Sequence, residues 1–239
     1  LLLFFRDTTQ WSQLILLAVL LVVYVFNIKS LPLFSGERVP VFLVSLVVFL
    51  NLGLAGFVLA AIAARFVFPA VSLEGKQMWL LRSSPLDLRA LLWSKYWTGT
   101  IPLLVVAVLM TFSTNALLRA STFMMAISLG TIVLLTFALS ALALGFGALF
   151  PRFDTENAAQ IPTGFGGMVY MMSAMVLLGV VLVLEAAPVL TYLRAQLRGA
   201  TPEPGPWMIG SLLGVIVVCG AATIIPIRLG LRRVAAMEF

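Results

Sequence analysis

Gly75 and Lys76, in the stretch LEGKQ, are the first place to look for phosphate chemistry. A P-loop needs a glycine five residues before that Gly–Lys pair and a serine or threonine directly after it. The backbone amides cradle phosphate, and the hydroxyl holds magnesium. Ala70 and Gln77 occupy those positions, so the pair is not a P-loop. The GFGG run at Gly164–Gly167 lacks the GxGxxG spacing of a dinucleotide fingerprint. The chain has no histidine, which removes imidazole acid–base catalysis, imidazole metal ligands and His-containing triads. Its one cysteine, Cys219, lies in an apolar run. Alone it can make neither an intrachain disulfide nor a zinc or iron–sulfur site, and it reads as a small buried residue. Neither GxSxG nor HExxH occurs. A serine–lysine pair stays open, although such pairs are more often surface chemistry than catalysis. The expectation is a chain that is not itself an enzyme and binds no cofactor or metal.

The stretch Val71 to Trp97 is unusual in another way. It holds Glu74 and Asp87, Lys76, Arg82, Arg89 and Lys95, and three of the five tryptophans, Trp79, Trp93 and Trp97. Ser72 can cap a helix, with Glu74 in the first turn where negative charge suits the helix dipole. SSPLDL restarts the pattern, with Ser84 as N-cap, Pro85 at the first helical position and Asp87 three residues after the cap. The second helix runs towards the next apolar stretch, and Tyr96 and Trp97 fall where an interfacial aromatic belt belongs. Two readings stand: an amphipathic segment anchored on the membrane surface, or a docking element for a cytoplasmic partner. A second polar stretch, LFPRFDTENAAQIPTGFGG, carries Arg152, Asp154, Glu156 and Asn157. Asp154 or Thr155 could cap a turn into the next span, and the plain reading is a solvated hairpin between spans.

The elements that must position these residues are apolar. Of 239 residues, 62% are hydrophobic and 10% charged, against about 45–50% and about 25% in soluble domains. The class is therefore integral membrane protein. The net charge of +6 reads as cationic cytoplasmic loops rather than a nucleic-acid surface, and no nucleic-acid module is recognisable. A span needs roughly 20 mainly apolar residues. Six stretches qualify, at about 11–27, 39–64, 100–118, 122–150, 162–184 and 206–227. The expected fold is all-α and polytopic: one transmembrane domain over residues 1–239, with a cytoplasmic segment at 65–99. With the N-terminus inside, ten cations face the cytoplasm and five (Lys29, Arg38, Arg119, Arg194, Arg198) face out. The positive-inside rule then puts both termini in the cytoplasm.

No stretch has a charge near its centre, which argues against an ion-driven pump. Asn51 and Asn115 read as interhelical hydrogen-bonding residues more readily than as a substrate site. Gly53, Gly56, Ala60 and Ala63 share a face of the second span, and Gly210 and Gly214 form a GxxxG in the sixth; both are candidate packing faces. Pro226 is expected to end or kink the sixth span. The outer connection from Glu185 to Pro206 includes APVLTYLRAQLRG, which is either a short interfacial helix or a plain loop. LLLFFRDTTQWSQ has neither an initiator methionine nor signal-peptide features, so the expectation is a chain that begins inside a longer sequence.

At these residues a family pattern emerges. RFVFPAVSLEGKQMWLLRSSPLDLRALLWSKYW and GFGALFPRFDTENAAQIPTGFGG resemble a group of bacterial ATP-binding-cassette (ABC) exporter permeases of the type-2 class. FFRDTTQWSQ, a first span ending in YVFN, and the terminal LRRVAAMEF look like the same group, so the resemblance covers the whole chain. It implies the membrane subunit of an exporter in the bacterial cytoplasmic (inner) membrane. ATP and magnesium would sit on a separate ABC-type ATPase, two copies per transporter. A second permease half, fused or separate, would complete the path; members tend to be longer, with another hydrophobic half before this region. Short cytoplasmic coupling helices would contact the ATPase. The residues that the resemblance implies for that contact are Ser72, Glu74, Gly75, Trp79, Arg82 and Pro85, with Arg152, Asp154, Glu156 and Asn157 as a second set. The alternative is a non-transporting membrane anchor or assembly subunit, with or without an ABC-type ATPase.

Overall fold

The computed structural model describes residues 8–30, 41–77, 88–152, 160–198 and 206–236. Within them the chain is helical throughout and has no strand. The helices are α1 (Thr8–Lys29), α2 (Val41–Phe66), α3 (Leu88–Leu117), α4 (Thr122–Leu149), α5 (Phe165–Leu197) and α6 (Pro206–Ala236). Two 3-10 turns, Phe68–Ala70 and Ser72–Gln77, follow α2. Hydrocarbon offers no water to unpaired backbone groups, and a helix pairs them within its own segment. Among the described residues, the five helices α2 to α6 are long and apolar enough to cross a membrane. α1 is 22 residues long, and its described apolar part is Ala18–Lys29.

Three helices run further than their apolar cores. α3 starts at Leu88, so the short helix expected from the coupling segment and the third span are one element, with Pro102 inside it. α5 continues through Glu185 and Pro188 to Leu197, and no separate interfacial helix forms. A single acid does not break a helix, and the residues after Glu185 are mostly apolar or strong helix formers. α5 ends where Arg198 N–H turns back to the carbonyls of Arg194 and Ala195, 3.2 and 3.1 Å away. Pro226 does not end α6, which runs ten residues past it to Ala236. Membrane helices tolerate proline where neighbours compensate the lost bond.

α4 is the hub. In its most apolar stretch 72% of residues are buried, against 11% for α6 and 33–39% for α2, α3 and α5. Without a hydrophobic drive between helices in lipid, association rests on close packing, which small residues allow. The C-terminal half of α4 is built that way, with Ala141, Ala143, Gly145, Gly147 and Ala148 all buried. A Cβ on Gly145 would come within 2.6 Å of the Pro226 backbone, and one on Gly230 within 3.1 Å of the Ala148 Cβ. The tight α4–α6 crossing therefore lies here. Of the GxxxG pair, Gly210 meets nothing within 4 Å and Gly214 makes only ordinary contact with Leu184. The glycine face of α2 does pack: Gly53 lies against Leu182 and Gly56 against Leu178, both on α5.

A buried polar chain ties α1, α2 and α3 together. Tyr24 Oη donates to Asn51 Oδ1 at 2.6 Å, and Asn51 Nδ2 donates to Thr114 Oγ1 at 3.1 Å. The Thr114 hydroxyl in turn donates to the Met110 carbonyl at 2.9 Å. Such interhelical bonds contribute on the order of 0.6 kcal/mol each, up to about 1.7. Asn51 thus fills the interhelical role read from its position. Asn115 does not: its Nδ2 is buried without a partner, while its carbonyl accepts from Ala120 N at 2.9 Å. That bond closes the α3–α4 turn, in which Arg119 takes a left-handed backbone conformation (φ 52°).

Candidate functional site

The described start of the polar stretch after α2, residues 67–77, folds back on the bundle rather than away from it. Phe68 and Pro69, in the first 3-10 turn, are buried. The Phe68 carbonyl lies directly over Gly147 of α4, where a Cβ would collide with its oxygen. The Phe68 ring sits 6.0 Å from that of Tyr170 on α5, and Tyr170 Oη donates to the Ala60 carbonyl of α2 at 3.0 Å. Gly166 admits the same ring: a Cβ there would meet Phe68 Cζ at 3.2 Å and Phe150 Cβ at 2.5 Å. The turn is therefore seated against α2, α4 and α5 together.

Ser72 opens the second 3-10 turn and is 5% exposed. Its hydroxyl accepts the backbone N–H of Arg152, 3.1 Å away. That bond joins the two polar stretches, 80 residues apart in sequence, at one end of the bundle. Two residues on, Glu74 forms an ion pair with Lys95 of α3, both side chains partly buried. The turn is thus tied to α4's end through Arg152 and to α3 through Lys95. Arg152 itself is exposed, and its guanidinium packs over Gly164, the N-cap of α5. Leu73 is half exposed beside them.

Of the residues singled out in sequence, Ser72, Glu74 and Arg152 come together, and Gly75 belongs to the same 3-10 turn. Trp79, Arg82, Pro85, Asp154, Glu156 and Asn157 lie outside the described residues. The two 3-10 turns between them touch α2, α3, α4 and α5 at one end of the bundle. Tyr96 sits differently from an interfacial belt residue. It is buried, donates to the Phe137 carbonyl of α4 at 3.2 Å, and packs edge-on against Trp93 and Trp97.

One residue escaped sequence reasoning. Glu185 lies within α5, not in a connection after it, and is fully buried. Thr131 of α4 donates its hydroxyl proton to Glu185 Oε1, while Oε2 has no hydrogen-bond partner. Glu185 is 20 residues along α5 from Phe165, or roughly 30 Å at 1.5 Å per residue. It therefore sits about one hydrocarbon thickness from the Ser72–Arg152 junction. The available signal was the apolar AAPVL that resumes directly after it. Among the described residues, no three His, Cys, Asp or Glu side chains gather where they could hold a metal ion.

A family model described as "Putative ATP-binding cassette" matches the chain over residues 1–239. No curated protein and no solved structure gives a significant match. A match over the full length, on a chain with five helices able to span a membrane, makes this protein a membrane-type member of that ATP-binding-cassette family.

Proposed function

We propose that the chain is the transmembrane permease subunit of an ATP-driven exporter in the bacterial inner membrane. In this reading it has six spans, α1 included, and both ends in the cytoplasm. Hydrolysis of ATP with magnesium takes place on a separate ABC-type ATPase, present in two copies. A second permease half, fused or separate, completes the transport path. The observation that carries the reading is the Ser72–Arg152 bond, which joins the two polar stretches into one junction beneath four helices. A partner that pushes on the 3-10 turn would rock α2 to α5 together and switch the exposure of the path between two states.

Purification in mild detergent tests this first. An ABC-type ATPase should co-purify, and its activity should respond to substrate once both are reconstituted in vesicles. Glu74→Arg and Trp79→Ala should each lower ATPase association by roughly tenfold, or about 1.4 kcal/mol. Absence of an ATPase, or unchanged association in both variants, would sink the coupling role. An ATPase that binds while no substrate stimulates it and nothing is transported would identify a membrane anchor or assembly subunit instead.

A further inference from the structure

Between α1 and α2 lies a cavity of about 490 Å³ that the polar junction does not use. Its walls are apolar, with Leu20 and Val23 from α1 and Leu54, Phe57 and Ala61 from α2. Val23 and Leu54 are more than half exposed, so the wall faces the surroundings of the bundle and not its core. Tyr24 lines the cavity too, and its bond to Asn51 holds the two helices to each other beside it. Asn27 and Arg65 also line it. Arg65 stands in the last turn of α2, is exposed, and has no hydrogen-bond or ion-pair partner among the described residues.

We propose that this cavity is a resident site for an anionic phospholipid, with one acyl chain against the apolar wall and the headgroup phosphate on Arg65. The volume lies within the roughly 300–1,000 Å³ of small-molecule sites and suits a chain, not a compact polar solute. A guanidinium presents paired donors that match phosphate oxygens. A cation at the end of an apolar helix, with no ion-pair partner among the described residues, needs an anion, and the membrane interface supplies one. Hydrocarbon on one side and an unpaired cation at the rim select an amphipath with an anionic head. The site is independent of the exporter reading, since it involves neither the junction nor an ATPase.

Native mass spectrometry of the purified full chain, exposed in turn to dioleoyl phosphatidylglycerol, dioleoyl phosphatidylcholine and glycerol phosphate, tests this. Phosphatidylglycerol should be retained roughly fivefold over phosphatidylcholine, as expected for about one effective charge contact. Glycerol phosphate, which has the head but no tail, should not be retained. Arg65→Gln should abolish the preference, and Arg65→Lys should keep part of it, which controls for folding. Ala61→Trp, which fills the cavity from an exposed position, should lower retention of both lipids. Equal retention of the two lipids would overturn the proposal, as would a preference that survives Arg65→Gln. So would a preference that survives Ala61→Trp, since Arg65 would then merely be reaching to the interface. A second copy of the chain that co-purifies through this face would overturn it too, if Ala61→Trp removed that copy and left lipid retention unchanged.

Discussion

Glu185 shows what a single residue can hide. A hydropathy reading ends a span at the first charge, so the acid falls in the connection. The helix instead carries it on, and the side chain ends up buried, with Thr131 as its one hydrogen-bond partner among the described residues. An ionisable side chain inside a membrane helix is expensive to keep and points to function. Its packing predicts how it can be changed. Thr131→Val removes the one bonded partner and leaves Oε1 as orphaned as Oε2. It should cost about 1–3 kcal/mol, the usual penalty for an unsatisfied buried polar group. Glu185→Gln keeps the shape and an acceptor for Thr131, and should be neutral or slightly stabilising. Thermal unfolding in detergent, followed by size-exclusion fluorescence, checks both. If Glu185→Gln unfolds the protein as readily as Thr131→Val, the carboxylate makes a contact that these bonds do not describe. At this scale sequence finds the polar residues but not their partners: Asn51 and Asn115 look alike in sequence, yet one is fully engaged and the other has an idle amide.

Helices were legible as elements because long apolar runs admit little else in lipid. Their packing faces were less so. Small residues at helical spacing occur on several faces, and spacing alone does not say which face meets a neighbour. The α2 stripe at Gly53 and Gly56 does meet α5, while the GxxxG at Gly210 and Gly214 meets almost nothing. The crossing that matters joins Gly145 to Pro226 and Gly230 to Ala148. Gly145→Leu should therefore overpack the α4–α6 contact and destabilise by about 1–3 kcal/mol. Gly210→Leu places its side chain in open space and should change stability by less, or raise it through better helix propensity, by up to about 1 kcal/mol. Paired unfolding measurements decide it: equal destabilisation by the two would show that Gly210 faces a neighbour after all.

Across the whole molecule, the polar stretches were recognisable in sequence, but their meeting was not. Nothing in the local pattern of VSLEGK or LFPRFD says that Ser72 will accept a bond from Arg152. That contact follows from how α2 and α4 are seated, which is a property of the bundle. The same arrangement sharpens the test of coupling. Glu74 has a partner within the chain, Lys95, so loss of ATPase association in Glu74→Arg has two explanations. Either the ATPase touches Glu74, or the broken pair lets the turn shift. Partly exposed pairs are worth about 0–1 kcal/mol, so the local effect is small and reversible by charge exchange. The double variant Glu74→Lys with Lys95→Glu restores the pair with its polarity reversed. If the ATPase contacts Glu74 directly, association stays roughly tenfold down in the double variant, because the contacting charge is still wrong. Recovery to the original level would mean that Glu74 acts through Lys95 by holding the turn in place, and that the surface recognised by the ATPase lies elsewhere on the junction.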